Sequence, residues 1–222
     1  MLELRNVCYT YQTKAQPVKA LRDVSAEFEP GKMYAVVGSS GSGKTTLLSL
    51  LAGLDVPGSG KILFRGERTA DMDRDRYRFS HVSIVYQNYN LFAHLTALEN
   101  VAYPLYLRGL PKKEAEAHAQ KCLSEVGITE DKQRRMPGLL SGGEQQRVAV
   151  ARALASNAEL ILADEPTGNL DITNGMQVVS ILLRLAHEEG RCVIIVTHDL
   201  EIAAEADEIM MMRDGVLERE RQ

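Results

Sequence analysis

The chain has 222 residues and a formal net charge of -4; 45% of its residues are hydrophobic and 25% are charged. This composition excludes a disordered chain and predicts one globular domain, or two closely joined lobes, with a sizeable core. The three cysteines form no CxxC pair, which argues against a disulfide framework or a zinc site, and the absence of a Lys/Arg run argues against nucleic-acid binding. No signal-peptide pattern and no apolar run of about 20 residues is present, so we expect a cytosolic protein that meets a membrane only through a partner.

The first third of the chain predicts an antiparallel sheet followed by a strand, a loop and a helix. Residues 2–11 and 20–28 alternate between apolar and polar positions and end at a Pro-Gly turn. A short apolar strand over 33–37 then leads into a Gly/Ser-rich loop over 38–43, and a helical pattern of leucines begins at Lys44.

The remainder of the chain alternates apolar strands with helices, which predicts a parallel sheet and an α/β fold. Strands are expected at 82–86, 160–163 and 193–196, and helices at 97–107, 112–126, 144–155 and along the repeat Ile172, Met176, Val179 and Leu183. We expect one domain over 1–222. Its catalytic α/β lobe covers about 1–87 and 158–222, and a helical lobe of about 88–157 is inserted into it.

The loop before Lys44 fits the pattern G-x-x-x-x-G-K followed by Ser or Thr, in the strand–loop–helix context of a P-loop. Lys44 is expected to reach the β- and γ-phosphates, and the Thr45 hydroxyl to bind Mg²⁺. A flexible Gly/Ser turn is the alternative, which the flanking strand and helix disfavour. The predicted nucleotide-binding residues here are Gly38, Ser39, Ser40, Gly41, Ser42, Gly43, Lys44, Thr45 and Thr46.

Two carboxylates follow the apolar strand that begins at residue 160, at the strand end where α/β sheets bind their ligands. Asp164 is predicted to hold Mg²⁺ together with Thr45, and Glu165 to act as the general base that polarises the attacking water. The alternative, a solvated acidic turn before Pro166, is common in isolation and less favoured beside a P-loop.

A second anion site is predicted at the start of the helix that runs to residue 155. Ser141 can cap this helix, and the N–H groups of Gly142 and Gly143 are expected to be exposed there. A plain capped helix is the alternative for this segment taken alone.

Together these motifs resemble the ATP-binding subunit of ABC transporters, whose second hallmark reads Leu-Ser-Gly-Gly-(Glu/Gln)-Gln, here residues 140–145. The resemblance covers essentially the whole chain. It implies a P-loop NTPase fold of the ABC type: a RecA-like core, an antiparallel β subdomain and an inserted helical lobe. It also implies that the cofactors are ATP and Mg²⁺.

The resemblance also implies roles for further residues. Gln87 matches the family's Q-loop, with roles in catalysis and in Mg²⁺ binding; Asp171 belongs to its D-loop, which contributes to nucleotide binding; and His198 matches its switch histidine. Lys44, Glu165, His198 and Gln87 are thereby the expected catalytic residues. Tyr11 matches the aromatic residue that stacks on adenine, although Tyr9 could be the exposed ring instead.

The family's mode of action implies a head-to-tail dimer, in which ATP lies between Lys44 of one subunit and Ser141 and Gly143 of the other. Residues 91–101 and 163–171 resemble the MacB/LolD/FtsE-type group, which drives FtsX-like permeases. Tyr86, Ser83 and Ile172 depart from the group's usual residues. A permease is expected to dock on residues of about 88–106 and to hold the subunit at the cytoplasmic face of the cell membrane. Ordinary packing of the helical lobe would also explain the apolar residues of this segment.

Two other functions are open at this point. One is a regulatory, FtsE-like ATPase that organises cell-division or envelope partners with low turnover, which the motifs separate poorly from a transporter subunit. The other is a soluble ABC-type ATPase acting on DNA or ribosomes, which would need a long coiled-coil insertion or tandem ATPase domains. The sequence contains neither of these two features.

Overall fold

The computed structural model describes residues 1–12 and 16–219. Its strands are β1 (Leu2–Tyr11), β2 (Val18–Phe28), β3 (Met33–Val37), β4 (Ser59–Phe64), β5 (Glu67–Arg68), β6 (Val82–Tyr86), β7 (Leu160–Asp164), β8 (Cys192–Thr197), β9 (Glu208–Arg213) and β10 (Val216–Arg219). Its α-helices are α1 (Lys44–Leu51), α2 (Arg74–His81), α3 (Ala97–Leu107), α4 (Lys112–Glu125), α5 (Glu130–Gln133), α6 (Gly142–Ala155), α7 (Ile172–His187) and α8 (Leu200–Ala204). A 3₁₀ turn (Pro137–Leu139) precedes α6.

The strands form two sheets of different character. Four strands pair in the order β2-β1-β4-β5, and all of their pairings are antiparallel. Six strands form the second sheet in the order β10-β9-β3-β8-β7-β6, in which only β10 pairs antiparallel. Strands β3 and β8 are buried at every residue, as expected for parallel strands covered on both faces. The predicted α/β fold with an antiparallel subdomain is confirmed.

Two hydrophobic cores lie on opposite faces of the six-stranded sheet. Ala35 and Val37 of β3 belong to the core shared with α3, α4, α6 and α7. Tyr34 and Val36, which alternate with them, belong to the core shared with α1, β1, β2 and β4. The inserted helices therefore pack in one continuous core with α7, while the antiparallel sheet covers the other face.

Helix α7 begins where the repeat predicts it, but only the second half of the repeat, Val179 and Leu183, packs against the core. Ile172 is 78% exposed and Met176 is also exposed, whereas burial starts at Gly175 and continues through Val178 and Val179. The first turn of α7 is occupied by capping contacts, so its apolar packing begins one turn later.

Helix α7 has 16 residues. No helix within the described ranges is long and apolar enough to cross a membrane.

Candidate functional site

A cavity of about 810 Å³ lies at the carboxyl ends of β3, β6, β7 and β8. This is the edge at which open parallel sheets bind their ligands. Of the residues predicted from the sequence, its lining includes Tyr11, Ser40, Gly41, Gly43, Lys44, Thr45, Thr46, Gln87, Asp164, Glu165 and His198. Eleven predicted residues from five separate segments thus meet at one cavity.

The P-loop is shaped by glycines that no other residue could replace without strain. Gly41 and Gly43 have positive φ angles of 79° and 111°. Gly43 is also the N-cap of α1, and no side chain caps this helix. The first N–H groups of α1 are therefore left for a ligand, and the helix dipole favours an anion there.

The Lys44 ammonium is held inside the curve of the loop. Its Nζ donates hydrogen bonds to the carbonyl oxygens of Gly38, at 2.7 Å, and Ser39, at 3.0 Å. Ser42, by contrast, is buried with an unpaired Oγ. Gly38, Ser39 and Ser42 form the loop behind the cavity and are not among its lining residues.

Strand β9 and the turn that follows it contact the P-loop directly, which the sequence did not predict. The Gly215 N–H donates to the Ser42 carbonyl at 2.9 Å. A Cβ on Gly38 would lie 2.3 Å from the Met212 carbonyl oxygen, so only glycine fits this position. The cavity lining also includes residues to which the sequence analysis gave no role: Val18, Lys19, Ala20, Arg22, Asp214 and Gly215. The dipeptide Asp214-Gly215 was the sequence signal from which this turn could have been predicted.

Glu165 and His198 are joined by a direct hydrogen bond. The Nδ1 atom of His198 lies 2.9 Å from the Glu165 Oε2 atom, and the Glu165 side chain is the less exposed of the two. Glu165 has a left-handed φ of 46°, an uncommon conformation for a residue with a side chain. Its N–H donates to the Val196 carbonyl at 2.9 Å, which fixes this conformation at the end of β8. Both side chains line the cavity beside Lys44.

Asp164 is the last residue of β7 and is partly buried. Burial raises the pKa of its carboxyl group, the nearby Glu165 carboxylate raises it further, and the Lys44 ammonium opposes both effects. A carboxylate that is costly to ionise in this position is typical of a group that gains a cation when the site is filled.

Gln87, directly after β6, connects the cavity to the segment that precedes α7. The Asn169 side chain donates to the Gln87 carbonyl oxygen at 3.1 Å. A Cβ on Gly168 would lie 2.7 Å from the Gln87 Nε2 atom, so the two segments are in close contact.

Tyr11, rather than Tyr9, faces the cavity. The Tyr11 ring is 41% exposed, and its hydroxyl lies 3.2 Å from the Thr46 Oγ1 atom. Tyr9 packs against the core and contacts Tyr11 edge to face, with ring centroids 4.9 Å apart. The geometry favours Tyr11 for stacking on a base, as the resemblance implies.

The start of α6 lies outside the cavity. Ser141, Gly142, Gly143 and Asp171 do not appear among the cavity's described lining residues. Ser141 caps α6: its Oγ accepts from the Glu144 N–H at 3.3 Å, and its own N–H donates to the Glu144 carboxylate at 2.9 Å. Asp171 caps α7 by accepting from the Asn174 N–H at 3.0 Å.

Gly143 is a buried residue in the first turn of α6, whereas the sequence predicted only that its N–H group would be exposed. A Cβ at this position would lie 2.6 Å from the Asn174 Oδ1 atom. The position needs glycine because α7 packs directly against the first turn of α6. Contact between the two helices is thus an additional reason for this glycine.

The residues at the cavity suit a magnesium nucleotide. Thr45, Gln87 and Asp164 offer a hydroxyl, an amide oxygen and a carboxylate at one side of it. Mg²⁺ at nucleotide sites is typically bound by one or two carboxylates and completes its shell with substrate phosphates and water. Among the described residues, no group of three or more His, Cys, Asp or Glu is placed to hold a metal ion.

Comparison with known proteins identifies the family. The family model described as ABC transporter matches residues 21–168. The chain belongs to this family. It is 44% identical to the lipoprotein-releasing system ATP-binding protein LolD of Chromohalobacter salexigens, over 98% of this chain and 92% of LolD. It is also 44% identical to the macrolide export ATP-binding/permease protein MacB 2 of Aeromonas hydrophila, over 97% of this chain but only 33% of that longer protein.

A solved structure extends the similarity to the fold. The dimeric, post-hydrolysis ATP-binding cassette MJ0796, bound to ADP and Pi, superposes with a TM-score of 0.93 at 37% identity; the match covers all of this chain and 98% of MJ0796. The present protein is therefore an ATP-binding subunit of the ABC type and an ATPase that uses ATP with Mg²⁺.

Proposed function

We propose that this subunit drives a membrane permease by closing on ATP as a head-to-tail homodimer and reopening after hydrolysis. The observation that carries the proposal is the separation of the signature residues, Ser141 and Gly143, from their own cavity. Such a signature can contact a nucleotide only if a second subunit presents one. The dimeric state of the MJ0796 cassette supports this arrangement.

Within the cavity, each side chain has a task that its position supports. Lys44 would neutralise the charge on the β- and γ-phosphates, and Thr45, Gln87 and Asp164 would hold Mg²⁺. Bound Mg²⁺ supplies charge stabilisation for the transferred phosphoryl group. Glu165 accepts the proton of the attacking water. Its hydrogen bond to His198 fixes the carboxylate and places the imidazole where it can contact the γ-phosphate.

Hydrolysis then opens the dimer for a physical reason. A γ-phosphate contacted by Lys44 on one side and by Ser141 of a second subunit on the other holds the two subunits together. Cleavage of the bond between the β- and γ-phosphates, followed by release of the γ-phosphate, removes the negative charge that both subunits bind. Gln87 lines the cavity, and its segment contacts the one that leads to Asp171, so Gln87 is suited to report the presence of this phosphate.

We further propose that the partner is an FtsX-like permease of the MacB and LolD type, and that it docks on residues of about 88–106. The 44% identity to proteins of both names supports the partner class. Phe92 and Tyr103 support the docking surface, because both are exposed aromatic rings on this segment. Binding to such a permease would hold the subunit at the cytoplasmic face of the cell membrane.

The decisive experiment compares the protein with Glu165→Gln. The wild type should hydrolyse Mg-ATP, and the variant should lose roughly 100- to 10,000-fold in rate, the usual contribution of a general base. The variant should run as a dimer in size-exclusion chromatography with Mg-ATP and as a monomer without it. Glu114→Gln, at an exposed position of α4, is the matched control and should behave like the wild type.

Hydrolysis by Glu165→Gln at the wild-type rate would contradict the role of the general base. A Glu165→Gln protein that binds ATP but stays monomeric at every protein concentration would contradict the closing dimer.

A further inference from the structure

The signature turn of this chain carries a carboxylate that is largely covered. Glu144 lies in the first turn of α6, and its side chain is only 14% exposed. One oxygen accepts from the Ser141 N–H at 2.9 Å, and the other lies 2.7 Å from the Nζ atom of Lys132. The Lys132 ammonium and the Ser141 N–H hold the pKa of the Glu144 carboxyl below its usual value, so this group is ionised at neutral pH.

A negative charge at this point opposes the proposed function. The closing dimer brings the triphosphate of a second subunit to Ser141 and Gly143, in the same turn as Glu144. A carboxylate in the first turn stabilises the helix, but it also cancels part of the positive end of the dipole that would attract phosphate. An uncompensated Glu144 would therefore repel the nucleotide that α6 must contact.

Lys132 is placed to remove this conflict. It belongs to α5, which is anchored by Gln133: this buried side chain donates to the Ile128 carbonyl at 3.0 Å. The nearby Arg135 is paired with Asp131 at 2.5 Å. Lys132 is thus the cation of α5 that the structure pairs with the signature turn.

We propose that Lys132 is a positioning residue for ATP-dependent closure: it neutralises Glu144 and so allows the signature turn to accept the γ-phosphate of the second subunit. The proposal rests on the head-to-tail dimer proposed above. It concerns closure only, because neither residue is among the described residues that line the cavity of its own subunit. Binding of ATP to the monomer should therefore be independent of Lys132.

The test introduces Lys132→Met into the Glu165→Gln protein. Methionine keeps the aliphatic length of lysine and removes its charge. Analytical ultracentrifugation measures the ATP concentration at half-maximal dimer, and a fluorescent ATP analogue measures binding to the monomer. We expect the half-maximal concentration to rise at least about threefold, as for loss of a partly exposed ion pair. Lys121→Met, which removes a lysine 3.9 Å from Glu125 on α4, is the matched control and should change neither quantity.

A second variant separates charge from structure. Glu144→Gln keeps an oxygen that can accept from the Ser141 N–H, because glutamine also serves at this position of a capping box. Adding it to Lys132→Met should restore the half-maximal concentration of the parent. Unchanged closure in Lys132→Met, or a double variant that is no better than the single one, would overturn the proposal. A Glu165→Gln parent that never dimerises with ATP would overturn the dimer itself and this proposal with it.

Discussion

At the scale of a single residue, the Asp164 carboxylate lowers the stability of the folded protein. Its carboxylate ends a buried strand, and its pKa is raised by burial and by the adjacent Glu165 charge. A group with a raised pKa is less favourable in its ionised form in the folded protein than in the unfolded chain. Asp164 therefore reduces stability at neutral pH, and the proposed contact with Mg²⁺ is the reason to retain it.

The variant Asp164→Asn should consequently gain stability while it loses function. Without nucleotide or Mg²⁺, we expect its melting temperature to rise by about 1–3 °C, since roughly 1 kcal/mol shifts a domain of this size by a few degrees. Its Mg²⁺-dependent ATPase rate should fall at least about 100-fold. Thermal unfolding followed by circular dichroism and a phosphate-release assay measure the two effects. Asp75→Asn, an exposed substitution on α2, is the control. A lower melting temperature for Asp164→Asn would contradict the argument.

At the scale of elements, the contact between α6 and α7 connects the signature to the segment before α7. Asn174 lies against Gly143, accepts from the Arg147 guanidinium at 2.9 Å, and donates to the Asp171 carboxylate at 2.6 Å. One side chain thus ties the first turn of α6 to the cap of α7. The two segments expected to contact a second subunit are thereby held in a fixed relation.

The variant Gly143→Ala tests whether helix packing or helix propensity determines how a side chain at position 143 changes the stability of the protein. Propensity alone predicts that alanine stabilises a helix by up to about 1 kcal/mol. The steric contact predicts the opposite: the new Cβ would meet Asn174 atoms at 2.6 and 2.7 Å, and overpacking of this kind costs about 1–3 kcal/mol. We expect the free energy of unfolding in urea to fall.

Gly138→Ala is the control for this prediction, since nothing lies within 4 Å of the corresponding Cβ. Its free energy of unfolding should stay within about 0.5 kcal/mol of the wild type. If Gly143→Ala were as stable as Gly138→Ala, the contact with Asn174 would not be what requires glycine.

Elements with strong apolar periodicity were predictable, and elements that depend on tertiary contacts were not. The strand over 33–37 and the helix over 97–107 have the predicted bounds. Strands β4 and β5 and helix α2 were missed. Helix α2 is highly charged and buries a single residue, Tyr77, so it has no apolar repeat to detect.

The residues that line the cavity were predictable for a related reason, whereas the contacts between helices outside the cavity were not. The carboxyl ends of parallel strands meet at one edge, so Gln87, Asp164 and His198 could be brought together from the sequence alone. The contact of Gly143 with Asn174 joins α6 to α7, and the ion pair between Lys132 and Glu144 joins α5 to α6. No periodicity or motif encodes such pairs, because they depend on how the helices pack.

At the scale of the whole molecule, the proposed docking surface is a rigid one. Phe92 is 46% exposed and Tyr103 is 37% exposed, and their rings contact each other with centroids 4.9 Å apart. The buried Asn100 side chain accepts from the Phe92 N–H at 2.7 Å and donates to the Phe92 carbonyl at 3.1 Å. The loop is therefore held in place by its own helix while its aromatic ring stays in solvent. A preorganised, exposed aromatic ring is typical of a residue that anchors a partner.

The variant Phe92→Ala should uncouple the subunit from its permease without harming the ATPase. The ring lies outside the described lining of the cavity, so basal hydrolysis by the isolated subunit should stay within about twofold of the wild type. Co-purification with the permease should weaken at least about tenfold, because truncating a central aromatic anchor usually costs 2 kcal/mol or more. Val216→Ala, on the exposed edge strand β10, is the control and should change neither quantity. Full co-purification of Phe92→Ala from membranes would show that the permease binds elsewhere, whereas a loss of basal ATPase would show that the ring supports the fold.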